Sequence, residues 1–480
     1  MSDLGLAEIP VDDQERPLPP PVTKPARNAL LDGPILRTLL WLAWPNVIAL
    51  SAGTCLVIAE TSYIGRLGVE SLAAMALVFP CVILTMTMSG GAMGGGVASA
   101  IARALGAGEI ERASTLAMHA LLIGLTFGVT FMLGMLIFGP HLLELLGGRG
   151  NVLAQAIAYT QIFFGGAILP WLMNTMAGIL RGTGNMKLPS TMILSSAVWQ
   201  IMLGGTLGLG LGPVPQFGMR GVAAGSLIAY SISISVMGWY LFSGRARVKP
   251  KLRGLRVQWA MFIDILRVGA VSCFSPLQSV LTISIFTHML AQFGTAVLAG
   301  YGIGARLEFM LTSVAFAVGI ASVPMIGMAV GAERIARARR IAWTAGTVSF
   351  LSVGVVGSFI AVFPDLWVNL FTSDPHVRAT SHQYLSTAAP MYAFIGLAMS
   401  MYFSSQGAAK VLGPVLAQTA RLIFIGTGGW WLSTHEASAQ NFFALAAASM
   451  GVLGVLSCLS VILTRWGKSA QVAEAQPALS

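Results

Sequence analysis

Glu60 is the residue whose type and position call most directly for chemistry. It lies near the far end of a long apolar run, in Leu56-Val-Ile-Ala-Glu60-Thr-Ser-Tyr-Ile-Gly65. A carboxylate is costly in hydrocarbon, and acids in such places face a cavity and do work there. Two readings stand side by side. Glu60 is a protonatable site that carries a coupling ion, or it snorkels outward and pairs with Arg66. Pro45 precedes it by fifteen residues. At about 100° per residue the two share roughly one helical face. A proline removes a backbone hydrogen bond, so the helix carrying the acid has a built-in hinge.

Other charges inside apolar runs are Arg306, Glu308 and Arg421. Each lies about 15 Å into its run if helical. Arg306 and Glu308 are two residues apart and do not face each other on a helix. A Glu308–Arg421 or Glu308–Arg306 charge network that closes the second half internally is one reading. A substrate-facing Glu308 is the other. Asn174, Gln200, Gln278 and His288 are polar residues in apolar runs, suited to interhelical hydrogen bonds or to a cavity wall. Imidazole titrates near neutral pH, which favours His288 among them. Signatures of soluble catalysis are missing. Gly90-Gly-Ala-Met-Gly-Gly-Gly96 has no following Lys-Ser/Thr and no preceding strand, so it reads as close helix packing or a hinge, not a phosphate loop. No histidine or cysteine spacing suggests a metal, and nothing suggests a cofactor or an enzyme. Cys55, Cys81, Cys273 and Cys458 all lie in apolar runs and read as small core residues without a disulfide framework.

These residues need helices to hold them in a membrane. Only 10% of the 480 residues are charged and 55% are hydrophobic, with mean hydropathy +0.77; soluble proteins carry about 25% charge. A spanning helix needs about 20 apolar residues. About twelve runs satisfy this, near 39–64, 71–100, 113–138, 152–180, 188–212, 220–243, 262–291, 297–330, 338–363, 380–406, 411–432 and 440–464. The fold class is therefore an all-α polytopic membrane protein. The net charge of +10 is no nucleic-acid signal. Lys and Arg concentrate on alternate loops, from Arg103 and Arg112 through the 245–256 cluster to Arg334–Arg340 and Arg465, while Arg66, Arg149, Arg220 and Arg378 fall on the others. By the positive-inside rule both termini are cytoplasmic, with membrane lipids as partners of the basic face.

The chain also repeats itself. Gly106-Ala-Gly-Glu-Ile-Glu-Arg112 matches Gly331-Ala-Glu-Arg-Ile-Ala-Arg337, Leu67-Gly68 matches Phe293-Gly294, and Arg181-Gly182 with Pro189 matches Gln406-Gly407 with Pro414. The shared offset is 225 or 226 residues. Six helices per repeat leave both halves in the same orientation, so these are parallel repeats forming two lobes around a central cavity. The expected division is a disordered cytoplasmic tail 1–34, a first lobe 35–243, a basic cytoplasmic linker 244–260, a second lobe 261–466 and a tail 467–480. Glu60 aligns with Phe286, so the acid belongs to one lobe only.

The sequence resembles the multidrug and toxic compound extrusion (MATE) family over about residues 35–465. The resemblance rests on Thr61-Ser-Tyr-Ile-Gly65-Arg-Leu-Gly68 with Leu72-Ala-Ala, Ala102-Arg-Ala-Leu-Gly-Ala-Gly108 and Leu180-Arg-Gly-Thr-Gly184 with Pro189. In the second half it rests on Gln292-Phe-Gly294 with Leu298-Ala-Gly-Tyr-Gly302, Gly327-Met-Ala-Val-Gly-Ala332 and Gln406-Gly407. It implies a monomeric antiporter in a bacterial inner membrane, exporting small, often cationic organic compounds in exchange for H⁺ or Na⁺. The family's first-helix acid falls on Glu60-Thr61. The fifth-helix Asn and Asp of several members fall near Gln200 and Gly204, so a second acid is missing. Acids of the seventh and tenth helices in sodium-coupled members have no match, since Gln278 and Ser279 stand in the seventh run and 380–406 holds no acid. A single carboxyl suits a proton better than sodium, which needs several oxygens. The alternative is a dedicated exporter or flippase of a single metabolite or lipid-linked precursor. A receptor or scaffold without a cavity is the third class.

Overall fold

The computed structural model describes residues 29–250 and 257–467. Most of the expected tails, and linker residues 251–256, lie outside the described residues. Among the described residues, twelve long helical segments follow one another. The first six are α1 (Ile35–Leu67), α2 (Val69–Gly106), α3 (Ile110–Leu145), α4 (Gly150–Gly165 with Ile168–Gly182), α5 (Lys187–Leu209) and α6 (Gly218–Phe242). The second six are α7 (Trp259–Ala291), α8 (Thr295–Gly331), α9 (Ile335–Val362), α10 (Pro375–Ala388 with Tyr392–Gly407), α11 (Leu412–Thr434) and α12 (Ala439–Leu463). Among the described residues nine helices are long and apolar enough to cross a membrane, or ten with the bent pair of α4 counted as one span. α10 and α11 complete the expected twelve. A polar opening turn in α10, and Gln418 with Arg421 in α11, make them less apolar.

The repeat is visible in the breaks. α1 passes to α2 through Gly68 alone, at φ 120°, and α7 reaches α8 through Gly294 at φ 93°. An L side chain rarely adopts such backbone, which is why glycine stands at both equivalent places. α4 bends by 46° after Gly165. α10 breaks at the corresponding point, Ala389–Met391, where a short 3₁₀ turn carries Pro390. α2 widens into a π-helical stretch at Thr87–Met93, which overlaps the glycine-rich segment.

Helices in lipid gain little from hydrophobic exclusion and pack through small residues instead. A Cβ at Gly96 would stand 2.7 Å from the Gly269 nitrogen, and one at Gly178 2.7 Å from the Gly94 carbonyl oxygen. The glycine run is thus close packing, as expected. One apolar core fills the first lobe around Tyr159, Phe163 and Trp171, and another fills the second around Tyr384, Tyr392 and Phe442. A third joins the lobes, with Leu39, Leu42 and Ala102 against Met325, Ile326 and Ala329. That third core sits at the end of the bundle carrying Arg103, Arg112, Arg334 and Arg337. The first half of α7 packs on α2 and α3 at the same end. Val69–Met86, the opposite half of α2, packs chiefly within its own lobe. The lobes therefore meet at the basic end. All four cysteines are free.

Candidate functional site

α1 places Glu60 half-buried in the first lobe. Tyr63 lies one turn further along α1, with Tyr159 from α4 and Tyr230 from α6 also within electrostatic reach of the acid. All three rings are buried. The Tyr230 hydroxyl donates to Gln200 Oε1 at 3.4 Å and so ties α6 to α5. No cation comes within reach of Glu60 among the described residues, and Arg66 forms no ion pair with it. Phenolic hydroxyls can accept from a protonated carboxyl or donate to an ionised one without adding charge. The pocket is thus suited to an acid that gains and loses a proton.

The missing second acid has a structural counterpart. A Cβ at Gly204 would lie 2.7 Å from the Tyr63 hydroxyl oxygen, while the next ring atom stands 3.5 Å away. Tyr63 occupies the room an acid at this position would need. Gly204→Asp is expected to lower both stability in detergent and transport. Adding Tyr63→Phe removes only the clashing oxygen and is expected to restore much of the loss. Equal defects in the single and double variants would refute this account.

Pro45 lies inside α1, which runs continuously past it. Its neighbour Asn46 donates to the Leu42 carbonyl at 3.2 Å and accepts from the Ser190 hydroxyl at 2.8 Å. This turn of α1 is therefore fastened to α5. Asn174 is buried and donates to Ser89 Oγ at 2.8 Å, which holds α4 to the π-helical stretch of α2. Gln278 donates to Thr419 Oγ1 at 2.6 Å, and Gln418 donates to Ser279 Oγ at 2.8 Å. These reciprocal bonds join α7 to α11, although Gln278 Oε1 is buried without a partner. His288 is exposed near the end of α7. Arg306 requires a correction. It is exposed and stacks over Phe371 at 5.3 Å, so it takes no part in a network with Glu308. The physical reason is the two-residue spacing, which turns it to another face. Glu308 and Arg421 do lie within electrostatic reach of each other, but they form no ion pair within 4.0 Å among the described residues.

A second constellation, unmarked by the sequence, closes the basic end. Asp264 on α7 accepts from Arg103 of α2 at 2.6 Å and from Arg112 of α3 at 3.2 Å. Arg103 also donates to Ser99, and Ser99 donates to the Gln406 carbonyl of α10. The Gln406 amide donates to the Gly91 carbonyl at 3.2 Å and to Ser272 Oγ at 3.1 Å. Arg334 and Arg337 of the second lobe hold the backbone of Leu31 and Gly33, just ahead of α1. Two surface pockets of about 550 and 270 Å³ also lie at this end, lined by arginines such as Arg337 and Arg247. Neither contains a predicted site residue. Among the described residues, no cluster of three or more His, Cys, Asp or Glu side chains could hold a metal.

Residues 45–206 and 272–429 each match the same family model, MatE. The chain belongs to the MatE family. The two matches fall one on each lobe, at about the spacing of the internal repeat. This MatE chain is similar to the FAD transporter of Shewanella oneidensis, 27% identical over 83% of this chain and 88% of that one. It is also similar to the probable multidrug resistance protein NorM of Deinococcus radiodurans, 27% identical over 82% of this chain and 87% of that one. Among solved structures it matches the outward-facing conformation of a multidrug resistance MATE family transporter of the MOP superfamily. That match has TM-score 0.84 at 24% identity and covers 91% and 97% of the two chains. The likeness shows the fold, and with it the expected all-α, two-lobed architecture. The MatE chain is a multi-pass integral membrane protein of a transporter family.

Sequence reasoning found Glu60 but not the tyrosines around it. The signal was present in the repeat, because Tyr159 and Tyr384 stand 225 residues apart at equivalent positions.

Proposed function

We propose that the chain exports cationic organic compounds in exchange for protons, with Glu60 as the coupling acid. The observation that carries this reading is a carboxylate among three tyrosines, with no cation in reach among the described residues. The ionised acid attracts a cationic substrate; the protonated acid does not. Several relatives bear the name probable multidrug resistance protein. The setting is a bacterial inner membrane, with the basic end and both termini in the cytoplasm and a monomer as the working unit. With that sidedness, closure at the basic end makes this the outward-facing state. A proton entering from outside neutralises Glu60, the substrate leaves, and α1 bends near Pro45 as the lobes exchange.

Sodium is the less favoured ion, because it would need Glu60, Gln200 and the tyrosine oxygens to converge on it. The second reading is export of a single metabolite, favoured by the similarity to a FAD transporter. The test uses purified protein in liposomes, with efflux followed under separately imposed H⁺ and Na⁺ gradients. The expected result is efflux driven by a pH step without sodium, across a panel of unrelated cationic dyes. Drive by sodium alone refutes the proton assignment, and export of one compound only refutes the multidrug assignment.

A further inference from the structure

The second lobe holds an acid in a setting that parallels Glu60. Tyr384, at the repeat position of Tyr159, is fully buried, and its hydroxyl lies beside that of Tyr392. Its ring lies against Gly304, where a side chain would collide with it, one turn before Glu308 on α8. The groups facing Glu308 are Arg421 from α11, Tyr301 from its own helix, and Tyr384 and Tyr392 from α10. α7, α9 and α12 bring no charged group into its reach among the described residues. Tyr392 is already engaged, donating to the Gly304 carbonyl at 3.0 Å. Arg421 donates only through Nε, to Ser449 Oγ at 3.4 Å. Its two terminal nitrogens, and the Glu308 carboxylate, make no hydrogen bond among the described residues. Each lobe thus offers an unbonded carboxylate beside the same repeat tyrosine. It is delivered from α1 in the first lobe and from α8, the counterpart of α2, in the second.

The charges differ in an informative way. A lone Glu60 moves its lobe between negative and neutral. Glu308 beside Arg421 moves its lobe between neutral and positive. Protonation in the first lobe therefore removes an attraction for a cation, whereas protonation in the second exposes the Arg421 charge and repels it.

We infer that Glu308 is a second proton-binding site, and that its protonation unmasks Arg421 to expel a cationic substrate. Two protons then enter for each monovalent cation exported. The carboxylate takes up one proton from the outer side and returns it to the inner side, with no other bond made or broken. This inference rests on the proposed proton-driven export of cations.

The test measures a steady-state ratio, not a rate. Proteoliposomes free of sodium are held at zero membrane potential with potassium and valinomycin, and tetraphenylphosphonium is the probe because it is a permanent monovalent cation. Two exchanged protons give a hundredfold concentration ratio per pH unit, and one gives tenfold. The expected slope is hundredfold for the natural protein and tenfold for Glu308→Gln. Glu308→Gln/Arg421→Gln, which removes both charges together, is expected to give tenfold as well and serves if the single variant does not fold. A hundredfold slope in these variants, or a tenfold slope in the natural protein, overturns the inference while proton-driven export stands. No pH-dependent ratio in any form overturns the export reading itself. A structural counter-ion for Arg421 would alter rate or yield and leave the slope unchanged.

Discussion

Glu60→Gln is expected to cut the concentration ratio sustained by a pH gradient about tenfold per pH unit. Glutamine keeps the shape of the side chain, but it is neutral at every pH. Each proton moved down one pH unit supplies about 1.4 kcal/mol, which sustains about a tenfold concentration ratio. With Gln at position 60 the first lobe no longer distinguishes a proton-loaded from a proton-free state. Only the proton carried by Glu308 then drives the cation, and the steady-state ratio falls from about a hundredfold to about tenfold per pH unit. Binding should weaken too, because an interaction with a charged partner contributes about 1.5–3 kcal/mol, or roughly 10- to 150-fold in Kd. Glu60→Asp retains the carboxyl with a shorter reach, so it should keep the ratio per pH unit while slowing the approach to it. Both quantities come from one experiment on purified protein in liposomes, using tetraphenylphosphonium with potential clamped at zero. An undiminished ratio in Glu60→Gln would remove Glu60 from the coupling mechanism.

The contrast between Glu60 and its surroundings shows what a sequence can carry. A charge inside an apolar run stands out because its desolvation must be offset by something, so the acid was legible without coordinates. The tyrosines were not. In a membrane segment a tyrosine serves equally well as a packing ring, an interfacial anchor or a hydrogen-bond donor, and only the tertiary fold brings Tyr63, Tyr159 and Tyr230 to one carboxylate. The fold was more accessible. Hydropathy marks the runs, and the repeated Gly68 and Gly294 mark a shared left-handed break that few residues other than glycine tolerate. The limits of pattern reading appear at Arg306. It is equally deep in its run by counting, yet it lies exposed over Phe371, because depth along a helix says nothing of which face a residue occupies. Gln278 and Asn174 show the same ambiguity resolved the other way, since each is tied to a neighbouring helix in its own lobe.

Asp264 is the plainest example of a function hidden by context. It stands at the edge of an apolar run, close to the basic linker, where an acid reads as ordinary solvated surface. The fold instead carries it across the lobe boundary, with its side chain 15% exposed and that of Arg103 13% exposed. Asp264→Ala is therefore expected to open the basic end. Removing one member of a mostly buried pair costs about 3–5 kcal/mol, much of it from the charge left behind. Here that cost is confined to the closed arrangement, because parting the lobes returns Arg103 to water. Arg112, whose side chain is 44% exposed, adds little by comparison. Allowing for the Ser99 bond that Arg103 keeps, about 2–4 kcal/mol of bias towards opening remains. That corresponds to a shift of roughly 30- to 1000-fold in the closed-to-open ratio. Spin labels at Ile110→Cys and Glu333→Cys, both on the exposed rim of the basic end, should report longer distances in Asp264→Ala than in the parent. Adding Arg103→Ala removes the stranded charge, so the double variant should open less than the sum of the single effects. Strict additivity would show that the two residues do not act on each other. An unchanged distance distribution in Asp264→Ala would show that the other ties at this end, such as the Ser99 and Gln406 bonds, hold the lobes without the Asp264–Arg103 pair.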